Sequence, residues 1–277
     1  MQALVLAAFL VSPGGARGAP QVGAATVETQ SGLPLRGEEA EIFLRTAKVV
    51  RHRPLGTGVS GSEQLTLTDG AAIHKAVWKT INEFHPGLTH FEGGGTILDY
   101  EDSYRFEIAA YELDKLLGFE LVPPTVERAL GHKTGSLQMW VEGTITEWDR
   151  KQRGLVPPDG EQWNRQIHAV RLLQQLTFDW DAQNIRNVLV DTSFRVYAID
   201  FSRSFAVYDK VDQEKLLERF PRARLAAMKA LDEATLAAKL GRFIGRPQIR
   251  TLLKRRDQIL AIAARRVAEK GEDAVLY

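Results

Sequence analysis

The glycines of Gly56-Thr57-Gly58-Val59-Ser60-Gly61 are followed by Ser62-Glu63-Gln64-Leu65-Thr66-Leu67-Thr68-Asp69-Gly70, and that sequel constrains the fold more than any other stretch. A dinucleotide-binding glycine cluster of this spacing runs straight into a helix, whose N-terminus receives the pyrophosphate. Here the residues after Gly61 alternate and then reach Asp69-Gly70, a hairpin signal. Ile73 to Ile81 returns as a strand with Val77, Lys79 and Ile81 on one face. Glycines that join two antiparallel strands make a flap whose backbone, free of Cβ atoms, can lie against phosphate groups. A plain surface loop has the same spacing, so the flap gains meaning only from what surrounds it.

Lys79 lies eighteen residues after Gly61, flanked by Val77, Trp78 and Ile81. An ammonium group in such apolar company needs an anionic partner. The next predicted helix, 103–117, carries Phe106, Ala109, Ala110, Leu113, Leu116 and Leu117 at helical spacing, with Asp102 or Ser103 to cap it and Gly118 to end it. Glu107 sits beside that apolar stripe and is the candidate partner; Glu112 and Lys75 are the substitutes if the register differs. Leu121 to Val126 and Leu137 to Val141 read as further strands.

After the polar stretch Gly154 to Gly160 the pattern becomes mostly helical. Gln162 to Thr177 is a helix with Trp163, Ile167, Val170 and Leu173 inward, and 212–270 holds helices broken at Pro221 and at Gly245-Arg246-Pro247. Between them, Val188-Leu189-Val190 pairs with Val196-Tyr197-Ala198-Ile199 across a short turn. That hairpin brings Asn187 and Asp200 back to one end. An amide oxygen and a carboxylate there are hard donors for a divalent cation. The expected architecture is α+β and bilobal: a strand-rich lobe with one helix over 39–143 and a helical lobe over 144–277, preceded by a flexible arm over 19–38.

The ordered set Gly56/Gly58/Gly61, Lys79, Glu107, Gln138-Met139-Trp140-Val141, Asn187-Val188-Leu189-Val190 and Ile199-Asp200-Phe201-Ser202-Arg203-Ser204-Phe205 resembles the atypical kinases, which include phosphatidylinositol-kinase-like, HipA-like and secretory-pathway four-jointed-like proteins. The resemblance spans about residues 45–270 and implies a protein-kinase-like fold that binds ATP with Mg²⁺ or Mn²⁺. It implies that Lys79 meets the α/β-phosphates, that Glu107 orients Lys79, and that Asn187 and Asp200 hold metal. Gln138, Trp140 and Val141 would line the adenine pocket and hinge. The implied activity is transfer of the γ-phosphate to a hydroxyl acceptor on a protein, sugar or lipid.

One position departs from this pattern. Such kinases place the catalytic Asp five residues before the metal-binding Asn, and here that residue is Ala182. Asp181 stands six before Asn187 and Asp179 eight. A one-residue bulge restores Asp181 as the base that orients the acceptor, with Asp179 as the other choice. Without the bulge, the chain is a nucleotide-binding pseudokinase acting as a regulatory or scaffold module.

Composition narrows the partners. Lys+Arg 36 against Asp+Glu 35 leaves a net charge of +1, which gives no reason to expect nucleic acid. The chain has no cysteine, so thiolate metal sites and Cys nucleophiles are excluded. No Gly-x-Ser-x-Gly elbow occurs. His85, His90 and Glu92 lack metal-ligand spacing and read as surface residues, while Lys254-Arg255-Arg256 and Arg265-Arg266 read as a solvated helix face. Ala3 to Val11 is an apolar run followed by Ser12-Pro13-Gly14-Gly15, with Ala16 and Gly18 suited to cleavage. The pattern over 1–18 is that of an export signal too short to span a bilayer, so an extracytoplasmic site is expected, with the cytoplasm as the alternative.

Overall fold

The computed structural model describes residues 31–56, 61–91 and 96–277. The apolar run at the start, most of the arm and Gly58 lie outside the described residues. The first element is a helix the sequence reading had assigned to arm and strand, α1 (Gly37–Thr46). Its Ala40, Phe43 and Leu44 do carry the i, i+3, i+4 spacing of a buried helical face, over little more than two turns.

Strands β1 (Lys48–Pro54), β2 (Glu63–Thr68) and β3 (Ile73–Lys79) follow, with Gly56 and Gly61 between the first two and Asp69-Gly70 between the second pair. Next come the ribbon β4 (Asn82–His90) and β5 (Thr96–Ser103), helix α2 (Tyr104–Leu117), and strands β6 (Thr125–Leu130) and β7 (Lys133–Met139). The main sheet has the order β1-β2-β3-β7-β6 with every neighbouring pair antiparallel. Alternation divides its faces. Leu65, Leu67, Ala76, Trp78, Val126, Leu137 and Met139 point one way and bury α1's Ala40, Phe43 and Leu44 against them. Val77, Lys79, Ser136 and Gln138 therefore occupy the other face, with Lys79 opposite Ser136 and Val77 opposite Gln138. That face looks toward the second half of the molecule.

One expected strand is shorter in the structure, and one of two expected caps is chosen. The expected strand over 121–126 begins only at Thr125, because Pro123 and Pro124 have no N–H to give a ladder. Of the two expected caps for α2, Ser103 is the one, its Oγ accepting the Arg105 N–H at 3.3 Å. Asp102 lies in β5 rather than in a capping turn. The β4–β5 ribbon itself escaped the sequence reading. It is exposed along most of its length, so no apolar alternation marks it.

The second half contains β8 (Ile145–Thr146), α3 (Glu147–Gln152), α4 (Gly160–Thr177), β9 (Val188–Val190), β10 (Val196–Ala198), α5 (Arg222–Ala230), α6 (Glu233–Leu240), α7 (Arg246–Lys270) and α8 (Glu272–Val275). The three short strands form a small sheet, β10-β9-β8. The core of this half is one cluster holding Leu172, Leu173 and Leu176 of α4 with Leu252, Ile259 and Ile262 of α7. Phe106, Leu113 and Leu117 of α2 belong to the same cluster. So α2 is fixed to the helical half while its N-terminal turn borders the sheet. The fold is α+β and bilobal.

Candidate active site

Lys79 ends β3 on the face turned away from α1, and its side chain is 12% exposed. Its Nζ lies 2.5 Å from Glu107 Oε1 and 2.5 Å from Asp200 Oδ1. Glu107, in the first turn of α2, is almost wholly buried, and its other oxygen accepts the Phe201 N–H at 3.1 Å. One carboxylate thus ties the strand lysine to the backbone just after Asp200. Burial disfavours the Lys79 ammonium, yet the two carboxylates outweigh it and raise its pKa. Burial pushes Glu107 up against the pull of Lys79. Asp200 is held below the ordinary carboxylate range, since Lys79 more than offsets its desolvation.

Asp200 has φ 66°, a left-handed backbone that a non-glycine residue adopts at a cost of about 1–3 kcal/mol and that gathers at functional sites. It turns the chain sharply out of β10. The Asn187 carbonyl accepts the Ile199 N–H at 2.9 Å, so the start of β9 and the residue before Asp200 are joined. Asn187 is buried, its Oδ1 accepts from Asn184 Nδ2 at 3.3 Å, and its Nδ2 has no protein partner. An amide and a carboxylate at one end of a hairpin are the hard-oxygen set that suits Mg²⁺ or Mn²⁺. Among the described residues no group of three or more His, Cys, Asp or Glu is placed to hold a metal alone. The pair fits a cation whose remaining ligands are phosphates and water.

The loop between α4 and β9 starts at Phe178, also left-handed at φ 50°. Asp179 is buried at its foot, 8% exposed, and its Oδ1 accepts the Asp181 N–H at 3.0 Å. Burial first, and then the carboxylates of Asp181, Asp200 and Glu107, push the Asp179 carboxyl up to about 8 despite that hydrogen bond. Asp181 is partly exposed, and its Oδ2 stands 3.5 Å from Arg203 Nη1. Desolvation raises its pKa, with Arg203 working against the rise. Arg203 Nε also bonds buried Asp102 at 2.9 Å. The structure therefore adds two residues, Asp102 and Arg203, to the set read from sequence. Arg203 stood in the quoted Ser-Arg-Ser-Phe string without a role, and Asp102 was read as a cap.

The other sequence candidates are placed as follows. Gly56 and Gly61 bracket the β1–β2 connection, and the Leu55 N–H to Ser62 carbonyl bond of 2.9 Å continues the strand pairing toward it, with no helix arising at Gly61. Gln138 shares the sheet face of Lys79 and donates to Thr125 Oγ1 at 2.9 Å. Trp140 and Val141 begin the connection to the second half, the Trp140 N–H donating to the Lys75 carbonyl at 3.0 Å and Val141 being buried. The substitutes named from sequence have other partners, Lys75 with Glu142 and Glu112 with Lys115.

No family model and no curated protein sequence matches the chain. Solved structures do. A hydra Fam20 structure with sugar superposes with a TM-score of 0.63 at 15% identity, covering 86% of this chain and 90% of that one. The golgi casein kinase superposes at 0.61 with 14% identity, over 86% of this chain and 78% of the other. At such identities the likeness speaks to fold. The chain shares the bilobal fold of these two structures, and within it the strand-borne lysine, its helix glutamate and the aspartate after the hairpin come to one point.

Proposed function

We propose that the chain is an ATP-dependent phosphotransferase that moves the γ-phosphate to a hydroxyl acceptor on a protein, sugar or lipid. The observation that carries this reading is the Lys79 ammonium held between Glu107 and Asp200, at 2.5 Å from each. A buried lysine kept charged by two carboxylates is primed to exchange one of them for a phosphate oxygen. Glu107 would keep Lys79 in place and leave Asp200 available to hold a metal. Lys79 would then meet the α/β-phosphates, with Gly56 and Gly61 at the two ends of the β1–β2 connection beside it. Gln138, Trp140 and Val141 border the base.

Asn187 and Asp200 are the residues to hold Mg²⁺ or Mn²⁺, which when bound offsets the phosphate charge. Asp181 accepts the acceptor's hydroxyl proton. Its partial exposure beside Arg203 supports that role over Asp179, whose carboxyl is enclosed and pushed up to about 8. Ala182 at the fifth position before Asn187 favours the second reading, a nucleotide-binding pseudokinase that transfers nothing. The apolar run Ala3 to Val11 supports export, and no described helix is long and apolar enough to cross a membrane.

Two measurements test the proposal. ATP with Mn²⁺ is expected to raise the thermal midpoint, by about 2.7 kcal/mol of added stability at a hundredfold excess over Kd. Radiolabel transfer is expected in the wild type and to fall about 10²–10⁴-fold in Asp181→Ala. A midpoint indifferent to ATP removes nucleotide binding. Binding without transfer selects the pseudokinase.

A further inference from the structure

We propose that Arg203 is a positioning residue for Asp181: buried Asp102 holds its guanidinium, and the guanidinium holds the carboxylate that receives the acceptor's proton. The inference rests on the phosphotransferase reading above and deepens it. Arg203 lies three residues beyond Asp200 and addresses the loop twice. Its carbonyl accepts the Trp180 N–H at 3.4 Å, and its Nη1 stands 3.5 Å from Asp181 Oδ2. On the other side Nε bonds Asp102 Oδ2 at 2.9 Å, and the guanidinium lies 5.8 Å from the centre of the Tyr100 ring.

Asp102 is an expensive carboxylate to keep. It is 2% exposed, its Oδ2 also accepts the Tyr100 hydroxyl at 3.1 Å, and its Oδ1 is buried with no hydrogen-bond partner. Such a group is tolerated when a cation answers it, and among the described residues Arg203 is its ion-pair partner. The planar fork of arginine can serve two carboxylates at once, which the ammonium of lysine does less rigidly. A staple between β5 and the segment after Asp200 exists without it, since the Ser103 N–H donates to the Ser202 carbonyl at 2.8 Å. What Arg203 adds is the stronger of two cations acting on Asp181, whose carboxylate is repelled by Asp200 and Asp102 and drawn more weakly by Lys79. Left to that repulsion in a short turn, Asp181 would swing toward water, away from an acceptor hydroxyl.

The test uses the full chain with Arg203→Gln, Arg203→Lys and Asp102→Asn, each in the wild-type and Asp181→Ala backgrounds. Transfer kinetics and the midpoint rise with ATP plus Mn²⁺ are both measured. Arg203→Gln is expected to lower kcat about 10²-fold through misplacement of the base, with the KM for ATP and the nucleotide-induced rise unchanged. Arg203→Lys regains part of the rate, and Asp102→Asn lowers kcat in the same direction. In the Asp181→Ala background Arg203→Gln costs nothing further from the residual rate, because the two residues act as one unit. A full additional loss in that background, an unchanged kcat, or a fall in kcat matched by lost nucleotide binding each overturns the assignment. Should Arg203→Gln fail to fold, Asp102→Asn carries the same comparison. A wild-type chain that transfers no phosphate instead sinks the phosphotransferase reading, and this inference with it.

Discussion

At the scale of single residues, burial raises the pKa of both carboxylates in the loop after α4, and Asp179 is the more enclosed of the two. Asp179 and Asp181 are two positions apart, yet one is enclosed and pushed up to about 8 while the other reaches solvent beside Arg203. The folded pKa of Asp179 lies above its unfolded value, so the fold binds that proton more tightly than the open chain does. Its contribution to stability is complete below the ordinary carboxylate range and is lost as pH rises to about 8. Asp179→Asn, which cannot ionise, should therefore gain thermal midpoint relative to wild type between pH 5 and pH 8. A difference that stays flat or narrows across that range would refute the assignment.

The same scale shows what was legible. Lys79, Glu107 and Asp200 stood out because each is a charged group in apolar text, and a buried charge must be answered by something. Asp102 and Arg203 did not stand out. They are 101 positions apart, and nothing local tells a strand-end aspartate that it will be buried against an arginine.

Among the elements, the β3–β7 pair sets where Lys79 points. Lys79 lies opposite Ser136, and a Cβ built on the neighbouring Gly135 would overlap the Lys79 carbonyl. No side chain fits there without prising the two strands apart. Gly135→Ala is expected to destabilise by about 1–3 kcal/mol in urea unfolding and to weaken ATP binding in the same variant. An alanine that leaves both unchanged would show that the strand pair has slack and that Lys79 is aimed by something else. Helix α2 was legible as an element, since its apolar stripe has the 3.6 period and its capping serine and terminal glycine bracket it. The β4–β5 ribbon was not, because β4 lies in water along nearly its whole length and the buried end of β5 is short and largely polar, so no apolar rhythm marks either strand. Helix α1 carried the rhythm over so short a span that its glycine-rich approach concealed it.

Across the whole molecule, one buried side chain joins the far helix to the site. Arg255 of α7 is fully buried, donates to the Leu176 carbonyl at 2.9 Å and the Ala206 carbonyl at 3.3 Å, and also bonds the Tyr208 carbonyl. It thereby holds the end of α4 and the segment after Phe205 to a single point. Burial lowers its pKa to about 9, which still leaves it charged at neutral pH. Arg255→Met strands those three carbonyls and is expected to cost about 3 kcal/mol in urea unfolding. Hydrogen exchange should quicken at 178–181 and 204–208 while the β1–β2 amides keep their protection. Uniform quickening would mean that Arg255 supports the whole domain rather than this corner.

Read from sequence, Arg255 belonged to a solvated basic face, and its burial shows the limit of such readings. Periodicity, turn chemistry and isolated charges are local properties, and they determined the hairpin after Gly61, the α2 helix, the Asn187–Asp200 hairpin and the α+β order of the chain. Which carboxylate meets Lys79, which aspartate is the more enclosed and which arginine is buried were decided only when α2 and α7 packed into one core beside the sheet. Desolvation and Coulomb energy depend on neighbours in space, and those neighbours are tens to over a hundred residues away along the chain.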